Sequence, residues 1–284
     1  MTRLSSRLLT LLLIGLTIAP LSAQRMPGMQ QQRWLGYLSG YERRDFHFGV
    51  ATDGQCLLYL MKNRKERASH SKMLKIYPEL IVESADGKRS SKRLKEEAGF
   101  STKVKPGLDH EEVSFTAHTT GDAKVQITIK YDDDKVILDG KVLEPGEYKD
   151  EKLYFGFKIL MPAFYHSATY GNDKKKAEGK MKRDKLRIVR ADNGKAEKLK
   201  IYEEYDFSSA ELGKGVVTEI ESDQDAQEGR KIIFTTVDGK SKFKIENKTR
   251  GRNAEPWRGF YVKWHRPFEE VKGKEIKPLV IEVK

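Results

Sequence analysis

Two stretches of the chain concentrate side chains able to hold a ligand or move a proton. The first, EPWRGFYVKWHRPF from Glu255 to Phe268, carries Trp257, Arg258 and Tyr261. Flat rings of this kind stack on sugars and bases, and a neighbouring guanidinium adds cationic hydrogen-bond donors. The second begins ILMPAFYHSATYGNDKKK at Ile159 and places Tyr165, His166 and Tyr170 ahead of a cationic run. In that run Lys174, Lys175, Lys176, Lys180, Lys182, Arg183, Lys185 and Arg187 outweigh Glu178 and Asp184. Aromatics beside a basic loop suit a polyanionic glycan or a nucleic acid strand. The candidate ligand-binding residues are therefore Trp257, Arg258, Tyr261, Tyr165, His166 and Tyr170. Each stretch also has a plain alternative: a strand buried on both sides for the first, a solvated lysine loop for the second.

The same residues raise a catalytic reading. His166 or His265, with a tyrosine or carboxylate nearby, has the chemistry for proton transfer in a polysaccharide lyase or hydrolase. Paired carboxylates for glycoside cleavage must stand about 5–9.5 Å apart across a groove, a relation that abundant Asp and Glu in a sequence cannot display.

Other motifs lack their essential parts. Gly213-Lys214-Gly215 is followed by Val216, Val217 and Thr218, a strand-like run without the third glycine of a dinucleotide loop. Gly239-Lys240-Ser241 resembles the end of a phosphate-binding loop, but Phe234 stands where its first glycine belongs. The histidines, His47, His70, His110, His118, His166 and His265, include no i,i+4 pair and no H-E-x-x-H. Asp132-Asp133-Asp134 and the loop SDQDAQEG are acidic, yet the second puts Glu228 and Phe234 where a calcium loop needs glycine and glutamate. No metal or cofactor is expected.

The elements that must position these residues read as strands. In KVQITIKY, Val125, Ile127 and Ile129 face one way and Lys124, Gln126, Thr128 and Lys130 the other, a period of two. SKFKIEN alternates likewise, and from Leu153 to Leu160 so does LYFGFKIL, ended by Pro162. In the Glu255 stretch Phe260, Val262 and Trp264 share one face, and Trp257, Gly259, Tyr261 and Lys263 the other. Between strand-like runs stand Asp53-Gly54, Asp86-Gly87, Asp139-Gly140, Asn193-Gly194 and Asp238-Gly239, residues that tolerate the positive φ of tight hairpins. The best helical candidate is GKRSSKRLKEEAG around Leu94, which has too few apolar residues to dock firmly. The spacing predicts an all-β, antiparallel β-sandwich of about ten to twelve strands, with a barrel as the second choice. The turns keep no fixed interval, so neither a solenoid nor a propeller is expected.

The amino terminus supplies an address. Arg3 and Arg7, the apolar run from Leu8 to Leu21, and Ser22-Ala23 follow the order of a secretory signal peptide. The run is broken by Gly15 and Pro20 and is shorter than the about 20 residues of a spanning helix. The expected organisation is a signal peptide at 1–23, a flexible polar leader at 24–33 and one domain at 34–284. The mature chain is then secreted or periplasmic, without a transmembrane segment. Its one cysteine, Cys56, lies in the apolar run QCLLYLM and reads as a buried hydrophobe, so packing must supply stability without an intrachain disulfide. Lys and Arg number 54 against 42 Asp and Glu, a formal +12, or +10 once Arg3 and Arg7 leave with the leader. That field favours an anionic glycan or another polyanion, nucleic acid included, although interleaved charges also serve solubility. The expected functions are thus an anionic-polysaccharide binder, a lyase or hydrolase, or an envelope scaffold without a small ligand.

Overall fold

The computed structural model describes residues 25–68, 73–161, 171–190, 194–200, 217–223, 227, 229–236, 242–247, 260–268 and 278–284. The expected signal peptide lies outside them. Extended chain dominates throughout. The first strands are β1 (Tyr37–Glu42), β2 (Phe46–Ala51), β3 (Cys56–Lys62), β4 (Glu66–Arg67), β5 (Leu74–Glu83), β6 (Arg89–Ser101), β7 (Gly107–Leu108) and β8 (Glu112–Thr119). They are followed by β9 (Lys124–Asp132), β10 (Lys135–Glu144), β11 (Lys152–Leu160), β12 (Lys185–Arg190) and β13 (Ala196–Lys200). The last are β14 (Val217–Asp223), β15 (Lys231–Thr235), β16 (Lys242–Asn247), β17 (Phe260–Pro267) and β18 (Leu279–Val283). These eighteen strands exceed the expected ten to twelve. Pieces as short as β4 and β7, with two residues each, have no room to show an alternation.

All strands join one hydrogen-bonded system. Within it one series runs β7-β1-β2-β3-β5-β11-β17-β16. A second runs β6-β8-β9-β10-β18-β15-β14-β12-β13. The short β1–β7 contact is parallel and the other pairings are antiparallel. β6 links the series, pairing through Arg89–Arg93 with β5 and from Leu94 onward with β8, a ladder whose register shifts between Lys95 and Phe100. Because side chains alternate across a strand, each series turns one apolar row inward. Val113, Phe115, Val125, Ile127, Ile129 and Ile281 of the second series share a single core with Phe48, Phe155, Phe157, Val262 and Trp264 of the first. The inward face expected for Val125, Ile127 and Ile129 is buried, as are Phe243 and Ile245 of SKFKIEN. Arg266 of β17 meets Asp139 of β10 at 2.9 Å, an ion pair between the series. Cys56 is wholly buried and burial pushes its thiol up, so it packs as an inert hydrophobe.

The weak helical candidate proves extended, and one of the five expected turns is corrected. GKRSSKRLKEEAG is no helix: it forms most of β6, because partners on β5 and β8 take up its backbone groups, and tertiary pairing overrides a weak helical preference. The helix instead lies in the lysine run, as α1 (Lys174–Met181), started where Asp173 accepts a hydrogen bond from the Lys176 amide at 3.0 Å. Asp139-Gly140 is not a turn either, since both residues pair inside β10 with Thr128 and Ile127. A Cβ on Gly140 would sit 2.3 Å from the Phe155 ring, so this glycine admits an aromatic to the core. Gly54, Gly87 and Gly194 do sit at positive φ after their strands, whereas Asn193, Asp238 and Gly239 lie outside the described residues. The stretch read as a flexible leader packs along the sheet, with Met26 and Met29 buried and the Met26 amide bonded to the Thr52 carbonyl. Among the described residues no helix is long and apolar enough to cross a membrane.

Candidate functional site

The outer face of β5-β11-β17-β16 is where the sheet gathers chemistry. With Ile76 and Leu80, Phe157 and Ile159, Val262 and Trp264, and Phe243 and Ile245 turned into the core, the alternate residues face out. Register then builds rows across the strands. Tyr77 stands opposite Lys158, Lys158 opposite Lys263, and Lys263 opposite Lys244. In the next row Lys75 faces Leu160 and Leu160 faces Tyr261. The Lys158 ammonium lies over the Tyr261 ring, 4.1 Å from its centroid. Tyr77, Lys158, Lys244, Tyr261 and Lys263 are all half-buried. Burial raises the Tyr77 phenol, opposed by a hydrogen bond with Gln55 and the charge of Arg93.

On the other side of the lysine row, Glu79 faces Gly156 and Gly156 faces His265. His265 is 6 % exposed, with its ring edge-on to Tyr154 at 5.6 Å. Arg89 reaches this group from β6. Its Nη1 lies 3.4 Å from His265 Nε2, its Nε donates to Glu83 at 2.6 Å, and its guanidinium covers the Tyr154 ring. The Tyr154 hydroxyl donates to the same Glu83 carboxylate at 3.2 Å. Arg89 holds the Glu83 carboxyl below its ordinary range, while burial raises the Tyr154 phenol against the pull of Arg89. Glu79 is buried and accepts a short hydrogen bond from the Ser91 hydroxyl. A histidine, a tyrosine and two carboxylates on one face form a constellation with the donors and acceptors of acid–base chemistry.

Further along the same sheet, Trp34 lies over Gly40 and Gly49, which face each other across β1 and β2. A Cβ on Gly49 would come within 2.6 Å of the indole, so the two glycines form its slot. Trp34 Nε1 donates to Glu42 at 2.7 Å. The Arg67 guanidinium lies over the Trp34 and Tyr59 rings, at 4.2 and 4.4 Å from the centroids, and its Nε donates to His47 Nδ1 at 3.2 Å. His47 is pushed down to about 4, first by burial and then by Arg67 and Arg33, against the opposing charge of Glu42. Gly49→Ala is expected to drive the indole from its slot and lower unfolding stability by about 1–3 kcal/mol. Thermal melting with tryptophan emission checks this, and a variant that melts with the wild type would show that the slot yields.

Of the residues singled out from sequence, Tyr261 stands on the lysine-bearing face. Trp257, Arg258, Tyr165, His166 and Tyr170 lie outside the described residues. The strands they adjoin are brought together, since β11 and β17 are neighbours and Leu160 pairs with Tyr261. Lys158, Lys263, Lys244, Tyr77, Tyr154, Arg89, Glu83 and Glu79 were not singled out. The alternation of LYFGFKIL and FYVKWH puts Lys158 and Lys263 on outward faces, but nothing in it says that the two strands are adjacent.

No protein-family model matches the sequence, and no curated protein matches it significantly. Among solved structures the chain is similar to a galactose mutarotase related enzyme from Lactobacillus acidophilus, at 8 % identity and a TM-score of 0.48, over 86 % of this chain and 96 % of the other. At that level of agreement the likeness assigns neither fold family nor activity.

Proposed function

We propose that this chain is an exported β-sandwich protein that binds an anionic extracellular or envelope polysaccharide on the outer face of β5-β11-β17-β16. The observation that carries the reading is the row Tyr77-Lys158-Lys263-Lys244, with each residue directly opposite the next on four neighbouring strands. The register gathers these three lysines with Tyr77 on one face of four neighbouring strands. An anionic chain laid over the row would meet a face rich in lysine, while Tyr261 and Tyr77 offer rings to the apolar faces of sugars. Trp257 and Arg258 precede β17, and Tyr165, His166 and Tyr170 follow β11. The pairing of Leu160 with Tyr261 supports a role for them at one end of the same face. The sandwich reading is supported by two strand series that fill one core, and the export reading by the charge and hydropathy order of residues 1–23.

In affinity electrophoresis or on a glycan array, the mature protein should retain acidic polysaccharides and lose them as salt rises, because screening acts on such contacts. Retention of neutral glycans alone, or of none, would overturn the reading.

A second reading, polysaccharide cleavage, is favoured by His265 beside Tyr154, Arg89 and Glu83. It requires new reducing or unsaturated ends from a polysaccharide panel, and their loss in His265→Ala. A panel left intact by the wild type removes it.

A further inference from the structure

The segment ahead of β1, residues 25–36, lies across the sheet as a strap. Its Met26 amide donates to the Thr52 carbonyl, its Met29 amide to Tyr37, and its Gly36 carbonyl accepts from the Thr52 amide. The side-chain anchor is Trp34, buried over Gly40 and Gly49. Register sets that seat on the row Gly40-Gly49-Leu57-Lys75-Leu160-Tyr261, so the strap covers part of the outer face that carries Tyr261. We propose that the strap is an acid-released latch: a proton on His47 drives Arg67 off Trp34, and residues 25–36 lift away while the two strand series stay folded. Arg67 is the clasp. Its Nε donates to His47 Nδ1 at 3.2 Å, its Nη1 donates to the Arg33 carbonyl at 3.3 Å, and its guanidinium lies over the Trp34 and Tyr59 rings. A guanidinium has no acceptor, so the first bond requires a bare Nδ1. Protonation replaces that acceptor with a second cation in a buried place, where like charges repel more strongly than in water. Arg67 is poorly held against such a push. Its bonded nitrogens meet a histidine and a carbonyl, neither of them an anion, and among the described residues its buried Nη2 has no hydrogen-bond partner. Around His47, burial, Arg67 and Arg33 oppose the imidazolium, Glu42 and Asp109 favour it, and Tyr59 faces the ring from β3. Glu42 is already engaged by Trp34 Nε1 at 2.7 Å and by Arg33 at 3.6 Å. Gly36, at φ +80° with open space where a side chain would stand, joins the strap to β1 and serves as its hinge. Undocked, the ring takes its proton near pH 6.5, and docked near 4, so the latch is fully closed above pH 6.5 and weakens as pH falls towards 4.

The test is amide hydrogen exchange of the mature protein at about pH 7 and about pH 4.5, expressed as protection relative to the intrinsic rate at each pH. Protection of the bonded strap amides, Met26, Met29 and Gly36, should fall by up to about 100-fold between the two, the tenfold per pH unit that one proton allows. At both values it should stay at least about tenfold below that of β9, because the strap opens without the core. His47→Gln leaves Arg67 an oxygen to bond and should make strap protection independent of pH. Arg67→Met, which removes the clasp from the other side, should give a strap poorly protected at both pH values, and circular dichroism confirms the fold of each variant. Wild-type strap protection that does not change with pH, or strap and β9 amides that exchange at one common rate, overturns the latch. The wild-type pH dependence persisting in either variant overturns the His47–Arg67 contact as its sensor.

Discussion

Trp264→Ala is expected to cost the fold about 3–5 kcal/mol, the usual range for emptying a buried aromatic site, whereas Trp264→Phe, which leaves a smaller void, should cost distinctly less. The ring is 0 % exposed, stacks against Phe157 at a centroid distance of 5.9 Å, and pairs across the ladders with Phe157 and Phe243. Alanine leaves a void there, and close-packed neighbours collapse into it only in part. Phenylalanine also loses area, but it removes a liability. Among the described residues the buried Trp264 Nε1 has no hydrogen-bond partner, and an unsatisfied buried donor costs about 1–3 kcal/mol. The two terms oppose each other. Denaturant unfolding of both variants separates them, and equal losses would mean that indole shape outweighs the unpaired donor.

The second large effect is a loss of stability in mild acid, centred on His47. In the folded chain its pKa is about 4, against 6.5 for the free side chain, so between these values the unfolded state holds the extra proton. Unfolding free energy then falls as pH drops from about 6.5 to about 4, by up to about 1.4 kcal/mol per pH unit and about 3 kcal/mol in all. Above pH 6.5 the ring is neutral in both states and contributes no slope. The physical cause is burial, reinforced by the guanidinium of Arg67, which occupies Nδ1. His47→Gln keeps an oxygen for Arg67 to bond and should flatten the slope across this window. Glu42 and Asp45, held below their ordinary range because hydrogen bonds and nearby cations outweigh burial, add losses at lower pH in wild type and variant alike. Parallel stability curves for the two proteins from pH 7 to pH 4 would remove His47 as the source.

Both effects arise where local rules were set aside by packing, and the same holds for the features that the sequence did not show. Asp139-Gly140 has the composition of a hairpin turn, yet it lies mid-strand because the Phe155 ring needs the space a side chain would fill. Around Leu94, charged residues with a weak helical pattern are drawn into β6 because β5 and β8 offer partners to successive parts of the strand. The lysine run after Asn172 holds a helix that a β-rich pattern gave no reason to expect. Tyr261 could be singled out as an outward aromatic beside Trp257 and Arg258. Lys158 and Lys263 could not, since each alone is an ordinary lysine on a polar face.

What the residues determined by themselves was whatever depends on near neighbours along the chain. A period of two decides which side chains turn inward, and Gly54 and Gly87 at positive φ decide where the chain reverses, because both are properties of a few consecutive backbone dihedrals. The all-β class and most of the core follow from these. Strand adjacency is of another kind. That Tyr77, Lys158, Lys263 and Lys244 form one row, and that Arg89 reaches His265, was decided by the collective packing of strands far apart in the chain, and the register of such pairings is written in no single segment.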